Sequence, residues 1–155
     1  MTKLLTHRMK TGNAEATERL GGAIGRKLKG SEVIELVSDL GGGKTVFVRG
    51  LARGMGSTAR VTSPTFTISQ EYPAGKLTLY HFDFYRLGQA GIVADELSEV
   101  IGDSQAVTVV EWGDIVADVL PNKRMTISIR AVSENDRDIT IAYPGSLAYL
   151  VEGIK

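Results

Sequence analysis

Lys44 and Thr45 are the residues whose setting points most directly to chemistry. They close the run SDLGGGKT, which follows the β-branched stretch VIELV and precedes the amphipathic pattern VFVRGLARGM. A strand, a glycine-rich turn and a helix in that order make a phosphate cradle. Backbone N–H groups and the positive end of the helix dipole converge on one point, a lysine adds a mobile cation, and the hydroxyl beside it can join a magnesium shell. The pattern G-x-x-x-x-G-K-[S/T] departs at its first position, where Ser38 replaces glycine. A serine there needs a negative φ or mild strain, while Gly41, Gly42 and Gly43 keep the turn permissive. An ordinary glycine-rich turn is the plainer alternative, and the flanking elements favour the cradle.

A magnesium–nucleotide site also needs a carboxylate where a neighbouring buried strand leaves the sheet. Two runs supply one: Val107 to Val110 lead to Glu111, and Leu79 to Phe82 lead to Asp83. By geometry alone one is a metal-shell acid and the other positions water, with the assignment open; a solvated strand end is the plain alternative for either. The loop Thr62-Ser63-Pro64-Thr65-Phe66 follows the cradle helix. Its hydroxyls either reach phosphate or metal, or serve a proline-fixed entry to a strand. Arg86 and Arg137 are candidates for phosphate or base contact, against the commoner solvated face. Trp112, the only tryptophan, reads as core or partner contact. His7 and His81 are too few and scattered for a metal site and read as packing.

These residues need elements to hold them. A first strand is expected over Lys3 to Lys10. A helix follows, capped by Thr11 or Asn13, with Leu20, Ala23, Ile24 and Leu28 on its apolar face, running to about Lys29 and ended by Gly30. The cradle helix closes at Gly54–Gly56. VTSPTFTISQEY begins as a loop and becomes a strand, Pro73, Ala74 and Gly75 turn, and KLTLYHFDFYRL returns. On that strand Leu77, Leu79, His81 and Asp83 share one face, and Tyr80, Phe82 and Phe84 the other. A short helix over Asp95 to Ile101, a buried strand AVTVVEW, and a short helix from Ile115 to Leu120 follow. A hairpin of MTISIRAV and RDITIAY and a short helix in GSLAYLVEGI complete the chain. Hairpins beside a strand–loop–helix opening imply a mixed sheet with helices on its faces.

At 155 residues one domain is expected over 1–155, large enough for a core without staples. Eighteen basic residues balance eighteen acidic ones, so no overall field draws the chain to nucleic acid or membrane. The absence of cysteine excludes disulfides and thiolate metal sites. No run approaches the roughly 20 apolar residues of a membrane span, and a cytoplasmic protein is expected.

SDLGGGKT, VTSPTF, YHFDFYRL and VVEW, in this order and spacing, resemble the bacterial TsaE (YjeE) family, small ATPases required for threonylcarbamoyladenosine formation in tRNA. The resemblance covers essentially the whole chain, and SPTF with HFDFYR and EW is far more specific than the cradle alone. The departures are Ser38 for the usual glycine and Gly42 for the usual alanine. The resemblance implies a P-loop NTPase-like three-layer α/β fold, with a mixed sheet and antiparallel hairpins flanked by helices. It implies that Asp39, Leu40, Gly41, Gly42, Gly43 and Lys44 wrap the phosphates of ATP. It puts Thr45 and Glu111 on Mg²⁺, makes Asp83 the catalytic or water-orienting acid, and has Arg137 touch the nucleotide. Thr65 and Trp112 fall in the family's functional set near the site and the partner face. The implied partners are TsaD and TsaB, which transfer the threonylcarbamoyl group, with hydrolysis resetting their complex and tRNA contact indirect.

Three alternatives differ in class. A small-molecule kinase on the same cradle usually needs an arginine-rich lid, where this chain has a hairpin with few arginines. A GTPase would need an aspartate two residues after Asn122-Lys123, where Met125 stands. A nucleotide-dependent interaction module would bind without hydrolysis.

Overall fold

The computed structural model describes residues 3–38, 43–64, 69–85 and 91–155, the side chains of 91–93 excepted. Seven strands form one mixed sheet in the order β1-β7-β6-β2-β5-β4-β3. At its centre β2 (Val33–Val37) lies parallel to β5 (Ala106–Glu111) on one side and to β6 (Met125–Ala131) on the other. β4 (Leu77–Asp83) extends the parallel part beside β5. Every residue of β5 is buried, as expected of a parallel strand covered on both faces, and all but its last, Glu111, are alanine, valine or threonine. The flanks are antiparallel: β1 (Leu4–Thr11) pairs with β7 (Arg137–Pro144), β7 with β6, and β3 (Ser69–Ala74) with β4.

Alternation along the strands divides the core. Ile34, Leu36, Leu79, Val107 and Val109 pack with Leu20 and Ile24 of α1 (Ala14–Gly25) and with Phe47 and Leu51 of α2 (Lys44–Met55). Val33, Phe82, Phe84 and Val110 pack on the opposite side with Leu97 of α3 (Gly91–Ile101). The expected division of the β4 side chains therefore holds: Leu79 goes one way, Phe82 and Phe84 the other. His81 and Asp83, two and four residues on from Leu79, join its side by the same alternation.

α1 and α2 touch backbone to backbone. A Cβ on Gly21 would collide with the Phe47 carbonyl, on Gly25 with that of Leu51, and on Gly50 with that of Glu18. Glycine inside a helix costs about 1 kcal/mol relative to alanine, so this seam trades helix propensity for close approach. The approach fixes where α2 begins, and with it Lys44.

Several boundaries differ from the sequence expectation. Asn13 is the cap of α1, its Oδ1 accepting from the Ala16 N–H at 2.7 Å, while the Thr11 hydroxyl pairs with that of Thr17. α1 stops at Gly25, not near Lys29, because tighter i→i+3 bonds from Lys27 and Leu28 take over. Gly30, at φ 117°, belongs to the turn into β2. Pro73 and Ala74 lie within β3, and the turn is Gly75-Lys76; β3 is an edge strand, which tolerates a proline. The short helix expected from Ile115 is a 3-10 segment at Gly113–Val116, and that at the C-terminus is another at Gly145–Leu150. β4 ends at Asp83, with Phe84 and Tyr85 of the expected run outside it, because the Tyr85 N–H turns back to the Asp83 carboxylate. The helix expected from Asp95 begins at Gly91, and the terminal hairpin falls where the pattern puts it.

The turn into β2 is anchored by Glu32, which is buried. Its carboxylate accepts from the backbone N–H groups of Lys29 and Gly30 and from the Tyr149 hydroxyl at 2.5 Å. Burial, and then the Glu32 bond, push the Tyr149 hydroxyl well above its ordinary pKa. This contribution is complete below the ordinary tyrosine value near 10 and is lost only as pH rises through the higher folded value. Tyr149→Phe should lower stability by about 1.5–3 kcal/mol at neutral pH, measured by urea denaturation; an unchanged midpoint would remove Tyr149 from the anchor. Gly50→Ala should cost about 1–3 kcal/mol in the same assay despite its better helix propensity. A gain in stability would show that the seam is not tight.

Candidate functional site

Because β2, β4 and β5 run parallel, their C-terminal ends share one edge of the sheet. Leu36 of β2 is in register with Glu111, and Glu111 with Asp83. Strands in a sheet lie about 4.8 Å apart, and both acids fall on the side packed by α1 and α2, so the two carboxylates are neighbours near the start of α2. Both are almost fully withdrawn from water, Asp83 at 3% and Glu111 at 2% exposure.

Gly43 caps α2 at φ 105°, a conformation that glycine adopts without strain, and its carbonyl accepts from the Phe47 N–H. Lys44 follows as the first helical residue and is also buried. Its Nζ donates to the Ser38 carbonyl at 3.2 Å, stands 3.6 Å from Glu111 Oε1, and lies 5.2 Å from the centre of the Trp112 ring. Three contacts therefore hold one ammonium at the start of α2. Ser38 itself has no positive φ: among the described non-glycine residues only Ser31 and Trp112 do. A side chain at Ser38 therefore brings no left-handed backbone strain to the strand exit.

Trp112 sits at φ 57° and ψ 50°, the left-handed region that costs a non-glycine residue about 1–3 kcal/mol. The kink directly after Glu111 brings the indole against Lys44 and the Tyr85 ring, whose centre is 4.9 Å away. Asp83 Oδ1 accepts from the Tyr85 N–H at 2.9 Å, which fixes the turn after β4. A small cleft of about 110 Å³ opens here, bordered by Val37, Ser38, Lys44 and Trp112.

Arg137 begins β7 and reaches Gly43, its Nε 3.9 Å from where a Cβ on Gly43 would sit. Its guanidinium donates to the carbonyls of Ser133, Glu134 and Asp136, which holds it across the hairpin turn. A cleft of about 190 Å³ lies between Asn13, Thr17, Gly43 and Arg137. The structure thus gathers Gly43, Lys44, Thr45, Asp83, Glu111 and Trp112 at the edge of the sheet, with Arg137 beside them. Asp39, Leu40, Gly41, Gly42, Thr65 and Arg86 lie outside the described residues. Thr62, at the start of the SPTF loop, is anchored by the Tyr72 hydroxyl, which bonds both its N–H and its carbonyl.

His81 is the residue that sequence reading passed over. It is fully buried and its Nε2 is hydrogen-bonded to Glu111 Oε2. The signal lay in the alternation: two residues before Asp83 on β4, it shares a face with both acids.

Among the described residues no three histidine, cysteine or acidic side chains gather as a protein-only metal cage. Mg²⁺ does not require one, because it keeps waters and is commonly held by one or two protein oxygens plus substrate phosphates. The hard oxygen donors here, the Glu111 carboxylate and the Thr45 hydroxyl in the first turn of α2, fit such an ion.

Comparison with known proteins agrees with this architecture. The profile described as "Threonylcarbamoyl adenosine biosynthesis protein TsaE" matches residues 11–139. The tRNA threonylcarbamoyladenosine biosynthesis protein TsaE of Treponema pallidum is 42% identical over 84% of this chain and 96% of its own length. The protein of the same name from Bacillus subtilis is 37% identical over 88% of this chain and 85% of its own. The crystal structure of Bacillus subtilis YdiB superposes with a TM-score of 0.76 at 35% identity, covering 98% of this chain and 94% of that one. Matching profile, relatives and fold thus agree, and the chain belongs to the TsaE family of threonylcarbamoyl adenosine biosynthesis proteins.

Proposed function

We propose that this chain binds ATP with Mg²⁺ and hydrolyses it in support of threonylcarbamoyladenosine formation in tRNA, acting on a complex of TsaD- and TsaB-type proteins. The observation that carries the reading is the meeting of Lys44, Glu111 and Asp83 at the start of α2, all three buried. The N–H groups of the first helical turn and the helix dipole receive the phosphates, with Lys44 leaving Ser38 and Glu111 for the phosphate oxygens. The residues Asp39 to Gly43 complete the cradle, and Arg137 meets the nucleotide from the cleft beside Gly43. Thr45 and Glu111 hold Mg²⁺, which supplies charge neutralisation on the phosphates. Asp83 orients the attacking water and receives its proton; the water oxygen bonds to the γ-phosphorus as the bond to the bridging oxygen breaks, giving ADP and phosphate. Thr65 of the SPTF loop belongs to the same set.

The rim supports a protein partner. Val37, Tyr85 and Trp112 are large apolar side chains at 48%, 42% and 38% exposure, grouped at the mouth of the site. Aromatic side chains of this kind anchor interfaces, and a TsaD- or TsaB-type surface seated there would sense the occupied cradle directly. Alone, turnover is expected to be slow, on the order of 10⁻⁴–10⁻² per second for an unassisted P-loop hydrolase.

Lys44→Ala should weaken ATP binding by about 10–100-fold, the worth of a charge-assisted hydrogen bond. Asp83→Ala should bind ATP within a few-fold of the parent and lose hydrolysis by about 10²–10⁴-fold. Equilibrium binding and phosphate release, the latter with the partner complex present, check both; two variants that hydrolyse ATP like the parent would refute the site. Transfer of labelled phosphate to a metabolite instead of water would make the chain a kinase.

A further inference from the structure

We propose that His81 is a positioning residue for Glu111: it fixes one carboxylate oxygen so that the other is presented to the cation and to Lys44. The inference rests on the reading of Glu111 as the Mg²⁺ residue. A carboxyl group turns readily about its last side-chain bond, whose torsional preference is broad. Left to itself, the Glu111 carboxylate could offer either or both oxygens to the Lys44 ammonium. The structure prevents this from two sides: Oε2 is hydrogen-bonded to His81 Nε2, and Oε1 stands 3.6 Å from Lys44 Nζ. The carboxylate only accepts, so Nε2 is the ring nitrogen that carries the donated proton.

The surroundings of the ring sharpen its role. His81 is wholly buried, between Leu79 and Asp83 on β4 and beside Val109 of β5. Its other nitrogen, Nδ1, is buried and has no hydrogen-bond partner among the described residues. An unsatisfied buried polar atom costs about 1–3 kcal/mol, which an apolar side chain packed against Leu79 and Val109 would avoid. The imidazole therefore directs its Nε2 hydrogen bond to Glu111 and brings a cost to the core. A device that orients a metal carboxylate accounts for both, since hydrogen bonds that hold ligating groups set how well they bind the ion.

The test separates metal presentation from folding. A fluorescent ATP analogue is bound to the full chain first in EDTA and then with increasing MgCl₂, and thermal melting is recorded for each variant. For His81→Leu, the Mg²⁺ concentration at half effect should rise about 10–100-fold, with metal-free affinity within about twofold of the parent. His81→Gln, whose side-chain amide reaches about as far as Nε2, should recover most of that loss. A folded His81→Leu with parental Mg²⁺ dependence overturns the proposal, and so does an equal loss of metal-free affinity, which would mark a merely structural role. Should His81→Leu not fold, His81→Asn decides: its shorter amide should show the shift, and a parental response overturns the proposal. Glu111→Gln, run in parallel, should abolish the Mg²⁺ response; if it does not, the reading of Glu111 as the metal residue has failed, independently of His81.

Discussion

Lys44 and Glu111 face each other at 3.6 Å with almost no exposure to water, and the arrangement around them serves to make that tolerable. At an effective dielectric near 20 their attraction is about 4 kcal/mol. Withdrawing each ion from water costs several kcal/mol, so the pair is not self-sufficient. The Ser38 carbonyl and the Trp112 ring add to the ammonium, and His81 adds to the carboxylate. A pair held this way is poised for exchange. A phosphate compensates the lysine better than a carbonyl does, and a divalent ion compensates the glutamate better than a single ammonium does. The proposed ligands, Mg²⁺ and ATP, would together replace each half of the pair at once.

The scaffold explains how the pair is aimed. Three parallel strands bring Ser38, Asp83 and Glu111 to one edge, and the glycine seam between α1 and α2 sets the start of α2 against them. The left-handed Trp112 turns the chain away directly after Glu111 and lays the indole beside Lys44. Family membership fits this picture, but the fold alone would not name a reaction; the chemistry lives in a few side chains at the sheet edge.

Much of this was legible in the chain. The β-branched run into SDLGGGKT fixed the central strand and the cradle helix, because a strand, a turn and a helix each leave a local periodic mark. Asp83 and Glu111 were visible as acids ending apolar strands. Their adjacency was not, since register between β4 and β5 depends on pairing across residues far apart in sequence. His81 was missed for the same reason: its partner is Glu111 on the next strand, and a lone histidine in an apolar run looks like packing. The end of α1 was misplaced because Leu28 still falls on the apolar face of the helical pattern, although i→i+3 bonds from Lys27 and Leu28 have already replaced the α-helical ones. Ser38 departed from the motif without backbone strain, since its own φ is not positive.

The most direct test of the account is a structure of this chain with a non-hydrolysable ATP analogue and Mg²⁺. The β- and γ-phosphates should lie at the N-terminus of α2, with Lys44 moved from Glu111 onto them and Mg²⁺ held by a Glu111 oxygen and the Thr45 hydroxyl. Asp83 should face the water in line with the γ-phosphate. Phosphates bound elsewhere, or a cation that leaves Glu111 still paired with Lys44, would contradict it.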